Sequence, residues 1–109
     1  MTQGFQESDW RIFKKLKEVA LERLCEQILK KAVSISTSKK GSSHERYLKL
    51  YRHVKNRDRD IARAFNDHRR SIMIQQLAAI HGLGLLTPEE MERFSPGTQE
   101  TIEAIKGIF

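Results

Sequence analysis

Between Ser42 and Gly84, apolar side chains recur in steps of three and four residues or multiples of them. Tyr47, Tyr51, Val54, Ile61, Phe65 and Ile72 fall on one stripe. That spacing predicts a single long helix over 43–82 whose stripe packs against another helix. Ser42-Ser-His-Glu45 has the form of a capping box, and Gly82 and Gly84 supply the stop, because glycine takes the left-handed conformation a helix end needs. Such a helix, about 39 residues at 1.5 Å each, would be roughly 58 Å long. Upstream, Phe13, Leu16, Ala20, Leu24 and Ile28 form the central line of a helix over 9–33. Trp10, Ile12, Val19, Leu21, Cys25 and Leu29 widen its apolar face beyond what one partner requires. The small, polar run Ser34–Ser43 reads as the connection, so the two helices should lie antiparallel.

Past Arg70 the pattern changes. Ile72, Met73, Ile74, Leu77, Ala78, Ala79 and Ile80 point in nearly every direction, and a helix that is apolar all round is buried all round. Its cover is to come from the C-terminal segment, from a second copy of the chain, or from both. Phe65, Ile72, Met73, Ile74, Leu77 and Ile80 are therefore the expected seam and self-association residues. Two short helices close the chain, over 88–94 and 96–106. Thr87-Pro-Glu-Glu90 is a second capping box, and Ser95-Pro96 repeats the serine–proline start. The expectation is a single all-α domain over 1–109, with an antiparallel pair of long helices, two short C-terminal helices and a bundle completed by homodimerisation.

Charge and composition refine this picture. Charged residues reach 31% against 39% hydrophobic, which suits helices with solvated faces. No run of about twenty apolar residues occurs, so no membrane span is expected, and the first residues lack the pattern of a secretory signal. Cys25 is alone, which excludes an internal disulfide and suits a cytoplasmic chain. The net charge of +6 is uneven: residues 1–38 carry +2, residues 39–70 carry +7 and residues 71–109 carry −3.

Opposite the apolar stripe, Lys49, Arg52, Arg59, Arg63 and Arg70 fall along one side, with His53 and Asn56 among them. A row of cations can follow a phosphate backbone and release counterions. Asp60 and Asp67 lie on the same side, at helical spacing from Arg63 and Arg70, and no aromatic side chains interleave for base stacking. A solvated face is the favoured reading and contact with a nucleic acid the alternative. Asp58, His68 and Gln75 occupy stripe positions and read as register-setting polar residues, with Arg69 near the same side. The four histidines show no ligand spacing and no phosphate-cradling glycine loop is present. Catalytic residues, metal and cofactor are therefore not expected. The function read from the sequence is that of a non-enzymatic helical protein, a small regulator or adaptor acting on an unidentified protein partner.

The segments Ser8-Asp-Trp-Arg-Ile-Phe-Lys-Lys-Leu, Arg57-Asp-Arg-Asp-Ile-Ala-Arg-Ala-Phe and Gly84-Leu-Leu-Thr87 resemble an uncharacterised family of short bacterial helical proteins. The resemblance implies an all-α fold and a bacterial cytoplasm, and supplies no functional residues. The small helical chorismate mutases are also dimers built around one long helix, but they hold several cations inside the bundle. Here only Arg69 is expected near the interior, so that activity is not expected.

Overall fold

The computed structural model describes residues 7–106, which form helices and connections with no strand among them. Five α-helices follow in order: α1 (Glu7–Thr37), α2 (Ser43–Phe65), α3 (Met73–Gly82), α4 (Pro88–Met91) and α5 (Pro96–Ile105), with a 3₁₀ turn at Arg70–Ile72 ahead of α3. The expected helix over 9–33 runs four residues further at its C-terminus, and the connection shrinks to 38–42. Ser36 and Thr37 return their hydroxyls to the carbonyls of Ala32 and Val33 within the last turn, so these residues stay helical.

The start of α2 is built as its sequence predicts. Ser42 Oγ accepts from the Glu45 N–H at 3.1 Å, and Glu45 Oε1 accepts from the Ser42 N–H at 2.7 Å. The Ser42 backbone hydrogen bond holds the Glu45 carboxyl below its ordinary value. α1 and α2 run antiparallel: His53 Nε2 meets the Ile28 carbonyl at 3.0 Å, while Arg46 Nη1 donates to the Ser36 carbonyl at 2.8 Å further toward the tip.

The single helix over 43–82 is not formed; it breaks after Phe65. Asn66 and Asp67 are residues whose side chains compete for backbone groups and favour turns, and Asp67 Oδ1 accepts from the Arg69 N–H. Asp67 takes a φ of 144°, outside the regions ordinary L-residues favour. The break lets α3 fold back onto both α1 and α2, and the surface that seemed to need a second copy is buried within one chain. Phe65, Met73, Leu77 and Ile80 are all buried, together with Phe13, Leu16, Ala20 and Leu24 of α1 and Leu85, Phe94 and Ile102 of the C-terminal part. Ile72 and Ile74 are half-buried. The self-association residues of the sequence reading are therefore mostly core of the monomer.

α3 ends in a Schellman motif. Gly84, at φ 73°, donates to the His81 carbonyl, and the Leu85 N–H reaches back to that of Ile80. Two polar clamps then fix the C-terminal helices to α1. Buried Asp9 accepts from the Ser95 N–H (2.8 Å), Ser95 Oγ (2.6 Å) and Thr98 Oγ1 (2.8 Å) at the start of α5. Arg23 forks onto Glu90 of α4 at 2.7 and 2.9 Å and also donates to the Leu85 carbonyl. The result is elongated, 56 × 24 × 23 Å, with a packed bundle at one end and the α1–α2 hairpin projecting from it.

Candidate interaction surface

In the projecting part, the row of α2 turned toward α1 is Arg46, Leu50, His53 and Arg57, and the row of α1 turned toward α2 is Ile28, Ala32 and Ile35; all are half-buried. The stripe read from the sequence is the neighbouring one. Tyr47, Tyr51 and Val54 each follow a contacting residue by one position, as Leu29 and Val33 do on α1. One residue is a turn of about 100°. On two antiparallel helices of the same hand, that turn taken along the chain swings both sets of side chains to the same side of the hairpin. Leu29 (65% exposed), Val33 (62%), Tyr47 (61%), Tyr51 (54%) and Val54 (47%) therefore share one open face. The expectation that the stripe packs on another helix fails for this half of α2, where the helices meet instead through the neighbouring row, in which Ile28, Ala32, Ile35 and Leu50 sit among the long polar side chains of Arg46, His53 and Arg57.

Toward the bundle the same face continues into a cleft of about 410 Å³ lined by Trp10, Phe13, Lys14, Leu21, Phe65 and His68, among others. Lys17 sits at its floor. Its ammonium donates to the Asp67 carbonyl (2.7 Å) and Gln76 Oε1 (2.9 Å), meets His68 Nδ1 at 3.1 Å, and lies over the Phe13 ring. Burial pushes this amine below its ordinary value, and the Asp67 carboxylate pulls it back. With its three N–H donors committed, Lys17 holds the break between α2 and α3: a cation near the end of α2, where exposed carbonyls favour positive charge. Gln76, buried on α3, completes the arrangement by donating to the same Asp67 carbonyl at 3.0 Å. The sequence reading missed both residues. Gln76 stands next to Gln75, which reads as a register-setting residue of the stripe and is exposed, as is Asp58.

The opposite face is basic. Lys49 and Arg52 each precede a residue of the contacting row, Arg59 and Arg63 precede half-buried Asp60 and buried Ala64 further along α2, and all four project away from the open face. Asp60 pairs with Arg57 at 2.7 Å and with Arg63 at 3.8 Å, whereas Lys49, Arg52 and Arg59 form no ion pair among the described residues. Three of the expected placements are corrected. His53 faces α1 instead of solvent. Arg70 lies beyond the break, pairs with Glu7 at 2.8 Å and stacks over Trp10, so it does not extend the row. Arg69 is exposed and bound to Asp67, and no cation cluster lines an interior there. The anticipated Arg63–Asp67 and Asp67–Arg70 pairs are replaced by Asp67–Arg69, whose hydrogen bond holds the Asp67 carboxyl below its ordinary value.

Among the described residues, no group of three or more His, Cys, Asp or Glu side chains is placed to hold a metal, and no helix is long and apolar enough to cross a membrane. No family model, curated protein or solved structure matches the chain.

Proposed function

We propose that the chain is a non-enzymatic helical adaptor that works through protein–protein contacts made on the open face of its hairpin. One observation carries this reading: no residue from 25 to 63 is buried, yet five large apolar side chains of that segment line a single exposed face. Apolar surface gathered in one place marks contact sites, whereas scattered exposed hydrophobics do not. Tyr47 and Tyr51 add large contact area at low entropic cost. The commitment of Lys17 to three acceptors supports the non-enzymatic part, since its amine would have to leave them before it could attack anything. The test places a photo-crosslinking amino acid at Tyr51 or, on the basic side, at Lys49 in living cells. Protein adducts are expected from position 51 and not from 49; none at 51, or equal yields at both, would remove the reading.

A second reading draws on the exposed, unpaired Lys49, Arg52 and Arg59. On duplex DNA these three would contact phosphates, and log affinity would fall against log salt with a slope of roughly −0.9 for each phosphate neutralised. A mobility-shift titration at two salt concentrations tests it, and no shift at low salt excludes it.

A further inference from the structure

We infer that the occupant of the open face is a second copy of the same face, brought antiparallel so that the two hairpins form a four-helix bundle. The inference rests on the protein-contact reading above and names the partner. Geometry sets the width of the partner. Leu29, Tyr47 and Val54 stand about 100° from the α1–α2 contact line, which aims them straight out of the hairpin and not into the valley between its helices. In a square bundle each helix has neighbours at right angles, so side chains aimed this way meet a layer two helices wide. A lone helix lying in the valley would leave them uncovered. The chain itself carries such a layer.

Charge sets the direction. Lys39 and Lys40 occupy the exposed tip of the hairpin, and Glu22 and Asp58 border the open face nearer the bundle. Glu22 lies seven residues before Leu29, and Asp58 seven after Tyr51 and seven before Phe65, so both share the apolar side. None of these four residues has an ion pair among the described residues. A two-fold axis crossing the face midway between Leu29 and Val33 sets Leu29 against Val33 of the other copy, and Tyr47 near the other copy's Val54. The same operation carries position 22 onto position 40, so each basic tip rests on the acidic border of the other hairpin. Copies paired tip to tip would instead bring Lys39 and Lys40 against themselves.

Area is sufficient. The overlap from 22 to 40 is about 27 Å long, and two helices side by side are roughly 20 Å wide, a flat footprint of about 500 Å². Side-chain corrugation raises this toward the ~800 Å² per partner of a standard interface.

Light scattering after size exclusion of the full chain is expected to give twice the 12.7 kDa of one chain. Lys39→Glu with Lys40→Glu should weaken the dimer by about tenfold or more, and adding Glu22→Lys with Asp58→Lys should restore it, as complementary charges at an interface rim do. All four positions are exposed, so unchanged helicity by circular dichroism accompanies the expected result. A monomer mass at ~100 µM, weaker than ordinary specific association, overturns the inference. So does a dimer indifferent to the charge exchange. The crosslink at position 51 separates the two levels of the argument. Adducts of other proteins on a monomeric chain sink the second copy and leave the adaptor standing, and no adduct with a monomer mass sinks both.

Discussion

The two ends of the molecule are made from the same kinds of residue and come out differently. In the bundle, Phe13, Leu16, Ala20 and Leu24 of α1 meet α2, α3 and the C-terminal helices, and all four are buried. In the projecting hairpin, Leu29 and Val33 continue the same helix with equally apolar side chains and remain more than half exposed. The difference is a third layer. Two helices cover only one stripe of each other, and a wide apolar face needs a further element to close it. Near the bundle α3 and its followers supply that element on one side. Beyond residue 24 nothing among the described residues does, and the two helices meet only through one narrow row, with Leu50, Ile28, Ala32 and Ile35 beside Arg46 and His53.

The largest effects belong in the bundle. Phe65→Ala and Leu24→Ala remove buried side chains and should each cost about 3–5 kcal/mol in urea denaturation. A cost near zero at Leu24 would erase the contrast between the two ends of α1. Lys17→Ala tests the break. It strips the Asp67 carbonyl, His68 and Gln76 of a shared donor, and a loss of about 2–4 kcal/mol is expected. Lys17→Met at no cost would show that the clamp fixes geometry without contributing stability.

The break also marks where the sequence stops being legible. Both capping boxes, the Ser95 start and the Gly84 stop follow from short-range chemistry and were readable from neighbouring residues. The stripe of α2 was readable too, because periodicity survives any context; what it faces depends on which elements come near, and that is not a local property. The apolar pattern carried across Asn66, Asp67 and His68 and hid the turn, although the loss of one-sidedness after Ile72 was its trace. Lys17 reads as an ordinary solvated lysine, since its acceptors lie 50 or more residues away in sequence.

Acid sharpens the comparison, because the Arg23–Glu90 clamp belongs to the bundle alone. Side-chain hydrogen bonds from Arg23 lead in holding the Glu90 carboxyl down, from an ordinary 4.5 to about 2. A carboxyl depressed in the folded state stabilises the fold fully above its unfolded value. That contribution fades as pH falls from 4.5 toward 2. With Arg23 partly open to solvent, it is discounted to about 1–2 kcal/mol. Glu90→Gln should therefore narrow the stability difference between about pH 6 and about pH 2.5 by that amount, read from denaturation midpoints. An unchanged difference would mean that α4 is held without the ion pair.

The smallest effects belong to the hairpin, where they discriminate most. Arg63→Ala, on the basic side, removes a weak 3.8 Å pair to an aspartate that Arg57 already holds at 2.7 Å, and should cost no more than about half a kcal/mol at any concentration. Val33→Ala should be equally mild in dilute solution, because the side chain is exposed in the single chain. Under the proposed pairing, its cost should rise to about 1 kcal/mol or more once the protein is concentrated enough for the open faces to meet, since the valine methyls are then withdrawn from water. Thermal denaturation of both variants across a hundredfold range of concentration makes the measurement. Parallel curves for Val33→Ala and Arg63→Ala would show that the two faces of the hairpin are equivalent, and that its apolar stripe lies in water in solution as it does in the single chain.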